Sequence, residues 1–285
     1  MIADLTGKTA LVTGTSSGFG LLICLELARL GYQVAAGMRR PKDSERLLSL
    51  AMEAGVKDRI HVMKLDICEP KQVADAALEI EKRWGRLDLL VNNAGEAIGG
   101  FVEEVPLEAW RRQMEVNFFG TVSVTQAVLP LMRSTGKGRI IMMSSISGVV
   151  GFPGYGPYAS SKFAIEGLGE CLSLELQPFG IDVVLVEPGA YGTAIWNKGF
   201  SDMSGQEGSP YQAMLEDVLH FSKSTAENSG DPAEVAKLVG EIAGMKFPRF
   251  RYRLPKGTRL TAAAKLLLPD RIFRRIVLKT LSRKR

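Results

Sequence analysis

Tyr158 and Lys162 stand four residues apart in a stretch of helical character, and Ser145 lies thirteen residues upstream. Side chains at i and i+4 share one helix face, so a phenol and an ammonium meet at one spot. A free phenol ionises at about 10 and is a poor base at neutral pH. A neighbouring cation stabilises the phenolate and is expected to lower that value. Such a pair can pass a proton to or from the oxygen of a carbonyl/alcohol couple while hydride moves at carbon. Ser145, just beyond an apolar strand, is placed to hold that oxygen. Each residue alone reads sooner as a surface tyrosine, a lysine lying along the surface or a loop serine; their combination with the next motif reverses that and carries the chemical reading.

That motif is Thr13-Gly14-Thr15-Ser16-Ser17-Gly18-Phe19-Gly20, between a short apolar strand and the start of a helix. Backbone amides at a helix N-terminus face a pyrophosphate, and glycines let the chain turn and approach it closely. The spacing is Gly-x-x-x-Gly-x-Gly, unlike the common Gly-x-Gly-x-x-Gly. The second strand ends in Gly37-Met38-Arg39-Arg40, with no acid there for ribose hydroxyls. Arg39 offers a guanidinium fork for a 2′-phosphate. NADP(H) is therefore expected ahead of NAD(H), with a solvated loop arginine as the competing reading. Asp66 and Ile67, after the third strand, are placed at the adenine end. Asn92-Asn93-Ala94-Gly95, after the fourth, can tie the sheet edge together and leave room for a dinucleotide, or be a simple turn.

The elements that must position these groups alternate. Apolar strands are expected at 9–13, 32–37, 60–65, 87–91, 139–143 and 181–186, and helices at 18–30, 43–54, 70–84, 107–132 (with a break) and 158–176. This rhythm argues for an α/β fold with a mostly parallel sheet covered on both faces. No linker divides it, so residues 1–245 read as one domain. From 191 to 229 the pattern weakens around one periodic piece, 210–222, which suits a cover over an active site.

In combination these motifs resemble the short-chain dehydrogenase/reductase family over about residues 5–240. The glycine run is similar to the family's cofactor motif, Asn92–Gly95 to its sheet-stabilising motif, and Ser145, Tyr158 and Lys162 to its catalytic serine and Tyr-x-x-x-Lys. Phe19 stands where the family often has isoleucine. The resemblance implies a Rossmann-like three-layer fold with seven strands, and homodimers or homotetramers. It also implies that the backbone of Asn117 helps position a water linked to the lysine. Pro188, Gly189 and Thr193 would lie beside the nicotinamide, and Gly151–Tyr155, with Phe152 and Tyr155, would line the substrate cleft. The sequence is similar to members acting on steroids, retinoids or other hydrophobic alcohols and ketones. Trp196, Phe200, Met214, Leu215, Leu219 and Phe221 would supply an apolar pocket. A polar or carrier-bound carbonyl substrate, or a silent nucleotide-binding scaffold, are the alternatives.

Two histidines and three cysteines leave little material for a metal site, and no apolar run is long enough to span a bilayer. The polar residues Asp4, Thr6 and Lys8 interrupt the N-terminus where a signal core would be apolar, so a cytoplasmic protein is expected. The charge is uneven. Residues 246–285 hold fourteen Lys/Arg and one acid, Asp270, while the rest holds 22 basic and 30 acidic residues. Across 271–285, Ile272, Phe273, Ile276, Val277 and Leu281 can share a helical stripe beside Arg274, Arg275 and Lys279. This basic, partly amphipathic extension suits peripheral contact with an anionic membrane surface. Docking on its own acidic body or on a neighbouring subunit is the equal alternative. Nucleic acid is not expected, because aliphatic groups interleave the charges.

Overall fold

The structure is a computed structural model and describes residues 5–192, 208–227 and 229–282. Seven parallel strands form one sheet: β1 Thr9–Thr13, β2 Gln33–Met38, β3 Ile60–Lys64, β4 Leu89–Asn92, β5 Gly138–Met143, β6 Ile181–Pro188 and β7 Arg251–Leu254. Their spatial order is β3-β2-β1-β4-β5-β6-β7, and every neighbouring pair is parallel. The chain lays strands outward from β1 in one direction, then returns to β4 on its other side. The carboxyl ends of β1 and β4 therefore border the crevice where such sheets bind ligands.

Central strands are apolar on both faces because helices cover both. One face is closed by α1 Gly18–Arg29, α2 Glu45–Glu53 and α8 Pro232–Gly244; the other by α3 Pro70–Trp84, α5 Gly120–Arg133 and α6 Gly156–Glu175. Ile23, Cys24, Leu27 and Ala28 of α1 are buried in the first layer, and Gly240 of α8 lets Glu26 and Leu30 approach closely. In the second layer Val73, Ala76 and Ile80 give α3 an inward stripe at helical spacing. That helix starts on Pro70 and stops at Gly85, whose φ of +66° only glycine adopts freely.

The break expected between residues 107 and 132 is a π-helical turn, Glu115–Phe119, between α4 Leu107–Met114 and α5. The periodic piece in the cover forms α7 Gln212–Glu227.

The boundary expected at residue 245 is not a structural division. β7 completes the sheet from inside the basic segment, and α9 Lys256–Leu267 and α10 Asp270–Leu281 follow it. Arg251-Tyr252-Arg253-Leu254 reads as a tail because two of its four residues are cationic, but both cations are consumed inside. Arg253 reaches the fully buried Glu187 of β6 at 2.5 and 3.3 Å, and Arg251 reaches Glu187 at 3.3 Å and Glu166 of α6 at 3.0 Å. Burial pushes the Glu187 carboxyl up, against the pull of Arg253. Arg253→Met should cost about 3 kcal/mol in urea denaturation, because it strips a buried carboxylate of its main partner. Adding Glu187→Leu should restore most of that loss. An unaltered midpoint in the single variant would remove the ion pair from the account of why β7 docks.

Candidate active site

A cleft of about 1150 Å³ opens at the carboxyl ends of β1, β4, β5 and β6. At its nucleotide end, Gly14 and Gly18 have φ of +71° and +58°. A Cβ on Gly14 would lie 2.7 Å from the Cα of Ala94, so backbone lies against backbone there. The Asn93 side chain donates to the carbonyls of Thr13 (2.8 Å) and Gly14 (3.1 Å), and Thr13 Oγ1 accepts from the amides of Asn93 and Ala94 at 3.0 and 2.9 Å. A Cβ on Gly20 would strike the Gly14 carbonyl and the Asn93 amide. The Ser17 side chain does not cap α1, and no acid occupies its first turn. The amides of that turn therefore suit a pyrophosphate, and the glycine cradle fits a dinucleotide.

Gly14, Ser16, Ser17, Gly18, Phe19, Arg39, Asp66, Ile67, Asn93, Ala94, Gly95, Pro188 and Gly189 all line the cleft; Gly20 is buried behind Gly14. Asp66 spends one carboxylate oxygen on the Cys68 amide (3.1 Å), which fixes the turn after β3. An acid does reach this wall: Asp43, five residues past Met38, is held by Arg40 at 2.8 Å. Arg39 is exposed on the same wall.

At the chemical end, Ser145, Tyr158 and Lys162 line the cleft together. Ser145 extends from the end of β5, and its Oγ accepts from the Ser147 amide (3.1 Å) and hydrogen-bonds with the Tyr158 hydroxyl. Lys162 lies one turn along α6, its Nζ 5.7 Å from the Tyr158 ring centre and donating to the Met143 carbonyl at 2.7 Å.

The electrostatics correct the sequence expectation. The phenol is not lowered by the lysine: burial pushes Tyr158 up to about 12, with the Ser145 bond pulling the other way. Burial lowers Lys162 to about 8, against the raising effect of Glu166 one turn on. Desolvation penalises the charged form of each, and both are deep in the wall.

Asn117 sits behind the cleft wall, on the π-helical turn. Its side chain is a clamp: Oδ1 accepts from the Glu96 amide (2.9 Å), and Nδ2 donates to the Glu96 carbonyl and to Ser161 Oγ, both at 3.0 Å. Its backbone carbonyl accepts from Thr121 Oγ1 at 3.0 Å. Sequence reasoning missed the clamp's other members. Gln113 donates to the Glu96 carbonyl (2.8 Å), Arg112 forks onto the Glu96 carboxylate (2.7 and 2.9 Å), and Ser161 donates to the Tyr158 carbonyl (2.7 Å). Only Ser161, three residues from Tyr158, carries a local signal; the others meet through the fold.

The substrate end also differs from expectation. Phe152 and Tyr155 are not among the cleft-lining residues; their rings contact each other at 6.2 Å, and the Tyr155 hydroxyl is bonded to Ser222 of α7 at 2.8 Å. Tyr155 therefore props the cover. The apolar wall comes from Ile98, Phe101, Val105, Val116 and, from α7, Leu215. Thr193, Trp196 and Phe200 lie outside the described residues.

The Lys162 shift has a measurable sign. An unfolded lysine keeps its proton up to 10.5, whereas the folded one loses it near about 8. Between those values the unfolded state binds more protons, so folding gains stability as pH rises. The unfolding free energy of the wild type should therefore climb relative to Lys162→Met from pH 8 towards 10. A difference independent of pH would mean the ammonium is not desolvated.

Comparison with known proteins shows the family. The family profile described as short chain dehydrogenase matches residues 8–204. Among curated relatives, an uncharacterized oxidoreductase, YusZ, of Bacillus subtilis is 42% identical over 96% of this chain and 98% of its own length. A 3-ketodihydrosphingosine reductase of Bacteroides thetaiotaomicron is 36% identical, covering 92% and 94%. An NADPH-dependent 3-dehydrocapnine reductase of Ornithobacterium rhinotracheale is 35% identical, covering 97% and 98%. The crystal structure of a short-chain dehydrogenase from Streptomyces avermitilis superposes with a TM-score of 0.79 at 30% identity, covering 95% of both chains. Glycine cradle, Ser-Tyr-Lys wall and whole-chain likeness converge: this chain belongs to the short-chain dehydrogenases, oxidoreductases of alcohol and carbonyl groups that bind a nicotinamide dinucleotide.

Proposed function

We propose that the protein is an NADP(H)-dependent oxidoreductase that interconverts a hydrophobic alcohol and its ketone or aldehyde, with Tyr158 as general acid/base. The observation that carries this is the sharing of one cleft by the Gly14–Gly20 cradle and the bonded Ser145–Tyr158 pair. A bound nicotinamide dinucleotide supplies hydride to the carbonyl carbon or accepts it, and in its oxidised form adds a positive charge that favours phenolate. The chain's own residues handle the proton. Ser145 Oγ holds the substrate oxygen beside the phenol. Burial favours the protonated phenol of Tyr158, which donates to the substrate oxygen in reduction and takes the proton back in oxidation. Lys162 fixes the ring of Tyr158 from below, and Asn117 holds α6 through Ser161.

The substrate class follows from the wall. Phe101, Val105 and Leu215 offer apolar surface to the cleft, beside the polar Glu96, Glu104 and Arg112. The names of the sphingoid and capnine relatives point to the same class. Arg39, on the wall past β2, supports NADP(H) over NAD(H). A homodimer or homotetramer in the cytoplasm, in peripheral contact with membrane, completes the reading.

Tyr158→Phe should lower turnover by about a thousandfold or more while cofactor fluorescence titration stays near wild type; normal turnover would reject the assignment. Arg39→Asp should move the ratio of kcat/KM values from NADP(H) towards NAD(H), and an unmoved ratio would take Arg39 out of phosphate recognition. The class is tested by initial rates with both cofactors against long-chain, steroid, retinoid and small polar carbonyls. Selective turnover of one hydrophobic group is expected. Turnover of polar compounds alone would keep the chemistry and discard the substrate class.

A further inference from the structure

The two helices after β7 leave on the surface what a soluble domain usually hides. Leu260, Leu266 and Leu267 of α9 are 73%, 85% and 79% exposed, and Ile272, Ile276 and Leu278 of α10 are about half exposed. This is not a failure to dock, because Thr258, Ala262, Phe273 and Leu281 anchor the same helices to the body. The apolar stripe read from the sequence of α10 is thus divided. Phe273 and Leu281 face inward, while Ile272 and Ile276 face out. Leu260, Ala263 and Leu267, spaced three and four apart, form a second outward stripe on α9. Between residues 256 and 281 the chain carries seven Lys/Arg and one acid, Asp270. Exposed leucines set among cations are the composition of an interfacial helix on anionic lipid.

The hairpin also sits at the substrate end of the cleft. A Cβ on Gly189, a cleft residue, would lie 2.6 Å from Thr258 Oγ1 at the start of α9. Lys265 donates to the Val149 carbonyl and lies 4.9 Å over the Phe163 ring of α6, the catalytic helix. α10 packs on α7, which presents Leu215 to the cleft. A second copy of this chain is a poorer occupant, since a symmetric interface would set the same basic face against itself.

We propose that the outer face of α9 and α10 docks on an anionic lipid bilayer and holds the substrate end of the cleft against it, so that an apolar substrate passes from lipid to Ser145 and Tyr158. Delivery rests on the hydrophobic-substrate reading above; docking does not.

The test uses the full-length protein and vesicles of phosphatidylcholine with or without phosphatidylglycerol. Co-sedimentation is expected with the anionic vesicles only, and weaker at high salt. Leu266→Ser/Leu267→Ser and, separately, Arg274→Glu/Arg275→Glu should each lower partitioning about tenfold or more, with cofactor binding and turnover of a short water-soluble ketone unchanged. Either pair should also slow reduction of a long-chain ketone dissolved in anionic vesicles. No binding of the intact protein to anionic vesicles overturns the docking, whatever the substrate proves to be. Leucine variants that shift the sedimentation coefficient of the vesicle-free protein would assign the face to a second copy instead. Duplex DNA that binds where vesicles do not would make it a nucleic-acid surface. Vesicle binding without turnover of any bilayer-dissolved carbonyl keeps the docking and overturns delivery together with the hydrophobic-substrate reading.

Discussion

Backbone lying against backbone at Gly14 and Ala94 is the constraint on which the site depends. It brings the ends of β1 and β4 together where the sheet order reverses, and the Asn93 amide locks the approach by binding two carbonyls of the glycine turn. From that knot an almost continuous hydrogen-bonded path reaches the chemical end. The chain leaving β4 runs through Asn93 to Glu96; Glu96 is clamped by Asn117; Asn117 holds Ser161, and Ser161 holds the carbonyl of Tyr158. The distance between the glycine turn after β1 and the phenol on α6 is thereby set by bonds, not by loop packing. Such placement is what hydride transfer requires, since reacting atoms must be held to within fractions of an ångström.

Burial then does two opposed things. It favours the neutral forms of both Tyr158 and Lys162, so the phenol keeps its proton and the ammonium holds its own less firmly. Glu166, one turn beyond Lys162, is the counterweight. One of its oxygens is bonded to Arg251, while Oε1 is buried with no hydrogen-bond partner among the described residues. Glu166 raises Lys162 through space, and its other oxygen is bonded to Arg251 of β7, so the end strand of the sheet reaches the neighbour of the lysine.

The parts legible in sequence were those where one local rule decides. Parallel strands buried on both faces show as apolar runs, α1 and α3 show by their periodicity and bounding glycines, and the Tyr158/Lys162 pair shows by i,i+4 spacing. What escaped depends on partners distant in the chain. The π-helical turn at Glu115–Phe119 has no turn residues to mark it, and the Asn117 side chain on it bonds to Glu96 and Ser161, both distant in the chain. Phe152 and Tyr155 have the right chemistry for a cleft wall, but Tyr155 is recruited by Ser222, sixty-seven residues away. Spacing reveals a neighbouring cation and says nothing about desolvation, which is the largest cause of the upward Tyr158 shift.

β7 shows why charge counted along a chain misleads. Arg251 and Arg253 belong by composition to the basic end, yet in space they offset Glu166, Glu170 and Glu187 of the acidic body. Lys265 is likewise committed, to a carbonyl beside the cleft. The cations without such inward work cluster on the outer face of α9 and α10, with the exposed leucines. The segment after residue 245 is thus two things in sequence: a strand that closes the sheet and neutralises a buried carboxylate, then a surface that the fold does not use. Cutting the chain before Arg251 would remove both at once and expose Glu187 on a bare sheet edge. Surface substitutions on α9 and α10 leave β7 paired, and so separate what this segment does for folding from what its outer face does for the enzyme.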